Sequence, residues 1–239
     1  MIALARQGEP EDSWLRAERQ IGGRGRQGRK WVSIRGNLYA STIVRLKEDD
    51  PPPATLSLVA GSALWSLVFL EMNDPDFRGH VSKPVELEPN LRWSDKLVLK
   101  WPNDLLLDGA KMAGILLERD RDAVIIGFGV NLADHPRDLD QPANSLAKYV
   151  DPPTPDVFLD YLAGIFRHSL QEWREHGLSY LRYSWMEKSF PIGQPMAIHD
   201  RDNNRISGEF AGLSEDCALR LRLADGSVRV MHAGDVFLI

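Results

Sequence analysis

Residues 22–31, GGRGRQGRKW, form the most informative stretch of the chain, and we call it the arginine loop. Its four glycines let the backbone approach a ligand closely and point N–H groups toward an anion. Arginine suits carboxylates and phosphates, and Trp31 offers a flat face to a planar base. The composition predicts an anion-binding loop, although a solvated or RNA-binding basic loop has the same composition. Four cations lie in this loop: Arg24, Arg26, Arg29 and Lys30.

A second informative stretch is Lys-Trp-Pro-Asn-Asp at residues 100–104. The proline ends a strand, so Asn103 and Asp104 are expected at the strand edge, where polar groups can face a cleft. The Asp-Gly turn at 108–109 folds the next strand back and is expected to bring Lys111 near Asp104. A lysine after a turn is also commonly a solvated charge, so the spacing alone leaves both interpretations open.

Glycines in two further strands indicate close approach of a ligand or of another chain segment. Gly114 interrupts an apolar strand, and the stretch Gly-Phe-Gly-Val-Asn-Leu at 127–132 places Asn131 at the end of the next one. The six histidines show no spacing typical of metal ligands or of a catalytic triad. A nucleophilic serine elbow and a P-loop signature are not found in the sequence either.

The composition is that of an ordinary globular protein: 239 residues, 43% hydrophobic and 26% charged. A net charge of −5 argues against a generally basic nucleic-acid-binding surface. Cys217 is the single cysteine, which excludes an internal disulfide and favours the reducing cytoplasm. Residues 51–70 are uncharged, but prolines and serines interrupt them, so we predict a buried core helix and no membrane association.

The periodicity predicts an α+β fold with two domains. Residues 1–190 should form a mixed β-sheet with helices packed on it, and residues 191–239 a small SH3-like β-barrel of four or five strands. The last helix pair should break at Gly177. The predicted helices are 1–6, 54–71, 154–176 and 179–188, and the predicted strands are 14–18, 37–46, 96–101, 105–107, 113–118, 123–130, 196–199, 205–213, 218–223 and 227–232.

Taken together, five motifs in one order resemble the catalytic domain of the biotin protein ligases. The resemblance continues through the small C-terminal barrel of that family and so covers nearly the whole chain. The motifs are Gln20-x-Gly-Gly-Arg-Gly-Arg-x-Gly-Arg-Lys-Trp, Asn37-Leu-Tyr, Lys100-Trp-Pro-Asn-Asp, Lys111-x-x-Gly-Ile-Leu-x-Glu and Gly127-x-Gly-x-Asn.

The resemblance implies a ligase that activates biotin with ATP and magnesium as biotinyl-5′-AMP. It then implies transfer of biotin to a lysine of a biotin carboxyl carrier domain, of acetyl-CoA carboxylase or a related carboxylase. The implied catalytic residues are Lys111, Arg26 and Asp104, with Asp104 either a magnesium ligand or a base. The implied biotin contacts are Gln20, Arg24, Gly25, Arg26, Lys111, Gly114 and Ile115. The implied nucleotide contacts are Arg24, Arg26, Trp31, Asn103 and Asn131.

The sequence departs from the family pattern in two places. A biotin-binding Ser-Thr-Asn segment is expected before the first helix, and the chain begins after it, so we expect either an upstream start or weak biotin binding. Where some relatives place an ATP-contacting arginine, this chain has Ile239. Without a winged helix-turn-helix before Gln20, we expect no operator DNA binding.

Two other functions remain open at this stage. A lipoate-type ligase shares the fold and also forms an acyl adenylate. An inactive or truncated ligase-fold module that binds RNA or a partner protein is the alternative outside enzymology. A homodimer is plausible from the resemblance, and the sequence does not identify the acceptor carboxylase.

Overall fold

The computed structural model describes residues 1–73, 96–137, 139, 141–199, 204–232 and 234–238. Within them, three α-helices accompany two β-sheets. The helices are α1 (Ile2–Arg6), α2 (Leu56–Asn73) and α3 (Pro155–Met186). The first sheet contains β1 (Trp14–Arg16), β2 (Leu38–Arg45), β3 (Leu97–Lys100), β4 (Asp104–Leu107), β5 (Ala110–Asp120) and β6 (Ala123–Val130). The second contains β7 (Pro195–His199), β8 (Arg205–Leu213), β9 (Leu219–Arg222), β10 (Val228–Met231) and β11 (Asp235–Leu238).

The six-stranded sheet has the order β1-β2-β6-β5-β4-β3. Its named strands pair antiparallel, and isolated parallel bridges join Leu99 to Ser189 and Lys111 to Ala143. Short turns connect β4 to β5 and β5 to β6. In the first of these turns, Asp108 and Gly109 both adopt the positive φ that a tight hairpin needs. The register sets Asp104 opposite Gly114 and Gly114 opposite Gly129, which places the informative motifs side by side.

Helix α2 is the long apolar segment predicted to be a core helix, and this prediction is confirmed. Residues Pro53–Asn73 are long and apolar enough to cross a membrane, but thirteen of the 18 residues of α2 are buried within the protein. The helix packs against β3, β4 and β5 on one side and against α3 on the other. Its apolar character on all faces therefore reflects burial between two layers.

Helix α3 begins where the Thr-Pro-Asp signal predicts. The Thr154 side chain accepts a hydrogen bond from the backbone N–H of Val157 at 3.4 Å, with Pro155 in the first turn. Gly177 interrupts the helix with φ 68° and ψ −160°, so the predicted break is confirmed. Trp173 is buried and donates from Nε1 to Thr55 Oγ1 at 2.9 Å, which ties α3 to the start of α2.

The second sheet has the order β10-β9-β8-β7-β11 and is antiparallel throughout its described pairs. The four predicted strands are present, and β11 is the fifth. The second sheet is connected to the larger one by Trp101, whose indole Nε1 donates to Cys217 O at 3.3 Å. Burial raises the pKa of the Cys217 thiol to about 11. Because β11 pairs with β7, its first residue, Asp235, is carried to the edge of the cavity described below.

Candidate active site

A cavity of about 660 Å³ lies where the arginine loop meets β4, β5, β6 and β11. All the site residues named from the sequence line it, so the structure brings the separate motifs into one place. Among the described lining residues, six are basic and three are acidic, in a chain with a net charge of −5. The basic ones are Arg24, Arg26, Arg29, Lys30, Lys100 and Lys111, and the acidic ones are Asp104, Glu118 and Asp235.

The predicted approach of Lys111 to Asp104 is confirmed. Lys111 Nζ lies 2.6 Å from Asp104 Oδ1, and the Asp104 side chain is 10% exposed. Lys100 Nζ lies 3.7 Å from Asp104 Oδ2 on the other side of the same carboxylate. Burial lowers the pKa of Lys100, and the negative charge of Asp104 partly opposes this shift. The site therefore holds two ammonium groups around one carboxylate.

Trp31 explains the two strand glycines. A Cβ atom on Gly129 would lie 2.6 Å from Cε2 of the indole, and one on Gly114 would lie 3.0 Å from Cζ3. Lys111 Nζ sits 5.6 Å from the ring centroid, within reach of a cation–π interaction. The indole Nε1 is buried and has no hydrogen-bond partner among the described residues. In this structure the close approach inferred from the glycines is thus made by the tryptophan side chain.

The arginine loop folds back on itself as a narrow hairpin. Gly25 N donates to Arg29 O at 2.7 Å, and Trp31 N donates to Gly23 O at 3.0 Å. A Cβ atom on Gly23 would meet the side chain of Gln20 at 2.7 Å and Trp31 O at 2.9 Å, so this position requires glycine. The backbone N–H of Gln20 donates to Ser33 Oγ at 2.9 Å, which holds Gln20 in place beside Gly23.

The guanidinium groups of the loop are held by protein acceptors. Arg24 Nη2 lies 2.6 Å from Glu118 Oε1. Arg26 Nη1 donates to Asn103 Oδ1 at 3.3 Å and to Gly234 O at 3.1 Å. Burial lowers the pKa of Arg26, while Asp235 and Asp104 oppose that shift. The loop is therefore closed over the cavity by contacts to both sheets.

Both asparagines named as nucleotide contacts line the cavity but use their amides internally. Asn103 Nδ2 donates to Ile115 O at 2.7 Å. Asn131 is buried, donates from Nδ2 to Asn144 O at 3.0 Å and accepts from Asn37 Nδ2 at 3.4 Å. Their visible role is to fix the strand ends on which the cavity is built.

Sequence reasoning missed three charged members of the cavity. Lys100 stands in the same motif as Asp104, and its position at the end of a strand was the available signal. Glu118 ends the motif that begins with Lys111, yet no role was inferred for it. Asp235 gives no local signal, because only the fold brings β11 to the arginine loop. Ile239, which stands where some relatives have an ATP-contacting arginine, lies outside the described residues.

Comparison with known proteins agrees with this geometry. The model of the biotin/lipoate A/B protein ligase family matches residues 4–131, and that of the biotin protein ligase C-terminal domain matches residues 192–239. The chain is 32% identical to a biotin–[acetyl-CoA-carboxylase] ligase of Paracoccus denitrificans, over 94% of this chain and 90% of that protein. It is 26% identical to the bifunctional ligase/repressor BirA of Bacillus subtilis, over 98% of this chain and 69% of that protein.

The fold comparison points the same way. The structure of the Aquifex aeolicus biotin protein ligase in complex with biotin and ATP superimposes with a TM-score of 0.78 at 23% identity. The match covers 96% of this chain and 90% of that one, so both sheets and the helices take part in it. The chain therefore belongs to the biotin/lipoate A/B protein ligase family and carries the C-terminal domain of the biotin protein ligases.

Proposed function

We propose that this chain is an ATP-dependent biotin protein ligase, which activates biotin as biotinyl-5′-AMP and passes it to a lysine of a carrier domain. The observation that carries the proposal is the convergence of Lys111, Asp104, Trp31 and the arginine loop in one cavity. A relative 32% identical over 94% of this chain is a biotin–[acetyl-CoA-carboxylase] ligase, which names the substrate class.

The first step requires two anions to meet. A carboxylate oxygen of biotin attacks the α-phosphorus of ATP, and the bond from that phosphorus to the pyrophosphate oxygen breaks. Two unit charges about 4 Å apart repel by about 4 kcal/mol at an effective dielectric near 20. Lys111, Arg24 and Arg26 supply positive charge where this repulsion develops, and no covalent enzyme intermediate is needed.

We assign the biotin side of the cavity to Gln20, Gly25, Gly114 and Ile115, which all line it. Gly114 lies beside the ring of Trp31 and the Lys111 ammonium group, since a Cβ atom there would be 3.0 Å from Cζ3 of the ring and 3.3 Å from Nζ. Lys111 lies between the two substrates in this assignment, bound to the biotin carboxylate and the α-phosphate.

The nucleotide side of the cavity has Trp31, Asn103 and Asn131. Nε1 of Trp31 is buried and has no hydrogen-bond partner among the described residues, so a ligand acceptor that reached it would satisfy this donor, which supports a contact from this residue. Closure of the arginine loop excludes water from the mixed anhydride.

In the second step an acceptor lysine attacks the acyl carbon and AMP leaves. The attacking amine must be neutral, and an unperturbed lysine has a pKa of about 10.4. Two roles are open to Asp104: taking a proton from that amine, or holding magnesium. Replacement by Asn separates them, because loss of a metal ligand raises the magnesium requirement of step one, whereas loss of the base slows transfer alone.

The donor set of the cavity fits magnesium. Asp104 supplies one carboxylate, and Mg²⁺ is commonly bound by one or two carboxylates with the remaining positions filled by phosphate and water. When bound there, the ion would neutralise charge on the pyrophosphate leaving group. Lys111 and Lys100 lie 2.6 and 3.7 Å from the same carboxylate and offset its negative charge.

Pyrophosphate exchange into ATP tests the proposal directly. In magnesium buffer, we expect exchange that depends on biotin and is not supported by lipoate. Exchange with lipoate in place of biotin would instead indicate a lipoate ligase. Lack of exchange with either acid, together with salt-sensitive RNA binding, would favour a binding module.

The acceptor and the setting follow from the same proposal. We expect the acceptor to be a biotin carboxyl carrier domain. We expect the protein to work in the reducing cytoplasm, because its one cysteine, Cys217, is free and buried. We place the domain boundary between residues 190 and 191, since the two sheets share no described strand. Sedimentation of the purified chain tests whether it forms a homodimer.

A further inference from the structure

Asp235 connects the arginine loop to the C-terminal sheet. Its Oδ1 lies 2.9 Å from Nη2 of Arg29 and 3.7 Å from Nη1 of Arg26. The carboxylate side chain is 17% exposed, so water screens these contacts only in part. Asp235 pairs with His199 in the ladder of β11 with β7, which fixes the carboxylate on a rigid element.

The position of this contact gives it a mechanical consequence. Arg26 begins the single turn Arg26–Gly28, Arg29 directly follows it, and Gln27 within it adopts φ 55°. One carboxylate therefore holds both ends of that turn, and Arg26 Nη1 also donates to Gly234 O at 3.1 Å. The loop cannot move away from the cavity without separating two guanidinium groups from one partly buried carboxylate.

Among the described residues that line the cavity, the two other acidic groups do not have this arrangement. Glu118 holds Arg24 alone, and that guanidinium is 61% exposed, against 23% for Arg26. Asp104 contacts two lysines of the first sheet, Lys111 at 2.6 Å and Lys100 at 3.7 Å. Among the described lining residues, Asp235 is thus the acidic group that joins the loop to the second sheet.

We propose that Asp235 is a positioning residue that latches the arginine loop across the cavity and so retains the acyl adenylate until the acceptor arrives. This inference rests on the proposed function, because it names what the closed loop retains. The charge of the carboxylate, and not its shape, holds the latch. An amide in the same place keeps the shape and loses the ionic attraction to both arginines.

The test is the rate at which biotinyl-5′-AMP, made from ATP labelled in the α-phosphate, leaves the enzyme. For Asp235→Asn we expect release about three- to tenfold faster than from the unmodified protein, since loss of one partner of a largely buried charge pair mainly raises the dissociation rate. Arg29→Gln should accelerate release by a similar factor. Combining the two changes should add little, because each removes the same contact.

A matched control is Asp122→Asn. Asp122 pairs with Arg45 at 3.3 Å and does not line the cavity, so this variant should release the adenylate at the unmodified rate. If Asp235→Asn fails to fold, Asp235→Glu and Arg29→Gln carry the test: the first should retain the adenylate and the second should lose it faster.

The outcomes separate the two proposals. An unmodified protein without biotin-dependent pyrophosphate exchange would overturn the proposed function itself. Exchange in the unmodified protein, combined with release from Asp235→Asn and Arg29→Gln within twofold of it, would overturn the latch alone. Equal acceleration by Asp122→Asn would also overturn it, since the effect would then be one of net charge.

Discussion

One part of the cavity lining is built on β4, β5 and β6, and we call it the sheet wall. Another part consists of the arginine loop with Asp235, and we call it the loop wall. Side chains of the sheet wall are placed by continuous backbone ladders, as in the alignment of Asp104, Gly114 and Gly129 across three strands. Side chains of the loop wall are placed mainly by ion pairs and single hydrogen bonds.

Because they are held differently, the two walls suit two different functions. A group whose chemistry needs a fixed position to within a fraction of an ångström benefits from a strand, because the ladder restrains its backbone. A group that must let substrates in and then close over them benefits from contacts that break one at a time. We therefore expect changes in the sheet wall to affect the chemical step and changes in the loop wall to affect binding and release.

The largest effect should come from the sheet wall, with Lys111→Ala. Loss of the ammonium group removes charge stabilisation from the transition state, and we expect biotin-dependent exchange to fall by about 10²-fold or more. Lys148→Ala is a matched control, because Lys148 Nζ lies 5.3 Å from the Tyr149 centroid, much as Lys111 lies 5.6 Å from Trp31. A loss of the same size in the control would show that the effect is structural.

Gly129→Ala should have the next largest effect, since it acts where the two walls meet. The new Cβ atom would lie 2.6 Å from the Trp31 ring and push it away from the sheet. Overpacking of this kind costs about 1–3 kcal/mol. Because the Trp31 ring also packs on Gly114, on the biotin side of the cavity, we expect KM for biotin to rise about tenfold. Gly164→Ala is the control, because a Cβ atom there meets nothing within 4 Å.

The relation can be checked from the tryptophan side. Trp31→Leu shortens the side chain and should recover part of the biotin affinity when it is combined with Gly129→Ala. If the double variant binds biotin no better than Gly129→Ala alone, the clash with the indole is not the cause of the loss.

These two walls were not equally readable from the sequence. The sheet wall was predicted well, because period-two alternation and the Asp-Gly turn fix the register that brings Lys111 to Asp104. The glycines indicate a close neighbour, but no local pattern identifies that neighbour as Trp31. For residues without a repeating pattern, local sequence carries no information on the partner.

The loop wall shows where sequence reasoning ends. Four cations in one loop were evident, yet their acceptors Glu118, Asp235 and Gly234 O come from distant positions. Asp235 is 206 residues from Arg29 and reaches it only because β11 is the fifth strand of a separate sheet. Contacts of this kind depend on how two sheets meet, and no spacing rule predicts them.

Lys100→Arg tests, through the pH dependence of exchange, whether the charge of Lys100 in the sheet wall supports the reaction. Burial places the pKa of Lys100 below its ordinary 10.5, so the ammonium charge is present below that folded pKa and is lost as pH rises through it. We expect the alkaline limb of kcat/KM for exchange to begin below pH 10.5, and Lys100→Arg to move it upward, because a guanidinium stays charged.

The control for this prediction is Lys188→Arg. Burial lowers the pKa of Lys188 too, but this residue lies outside the cavity lining, so the alkaline limb should not move. An unchanged limb in Lys100→Arg would mean that the charge of Lys100 does not support the reaction.

The smallest effect should come from Glu118→Gln, which removes the sheet-wall partner of Arg24 in the loop wall. The Arg24–Glu118 pair has a guanidinium 61% exposed, and exposed ion pairs contribute about 0.2–1 kcal/mol. Its loss frees Arg24 to face an anionic ligand, so KM for ATP should fall by no more than about threefold. Thermal unfolding and ATP titration measure the two effects.

Asp120→Asn is the matched control for Glu118→Gln. The Arg6–Asp120 pair has the same class of geometry, with N···O 2.8 Å and an Arg side chain 60% exposed, but it lies away from the cavity lining. Both variants should lose similar stability, and Glu118→Gln alone should change KM. A change in KM for ATP of tenfold or more would instead indicate that Glu118 contacts the substrate directly.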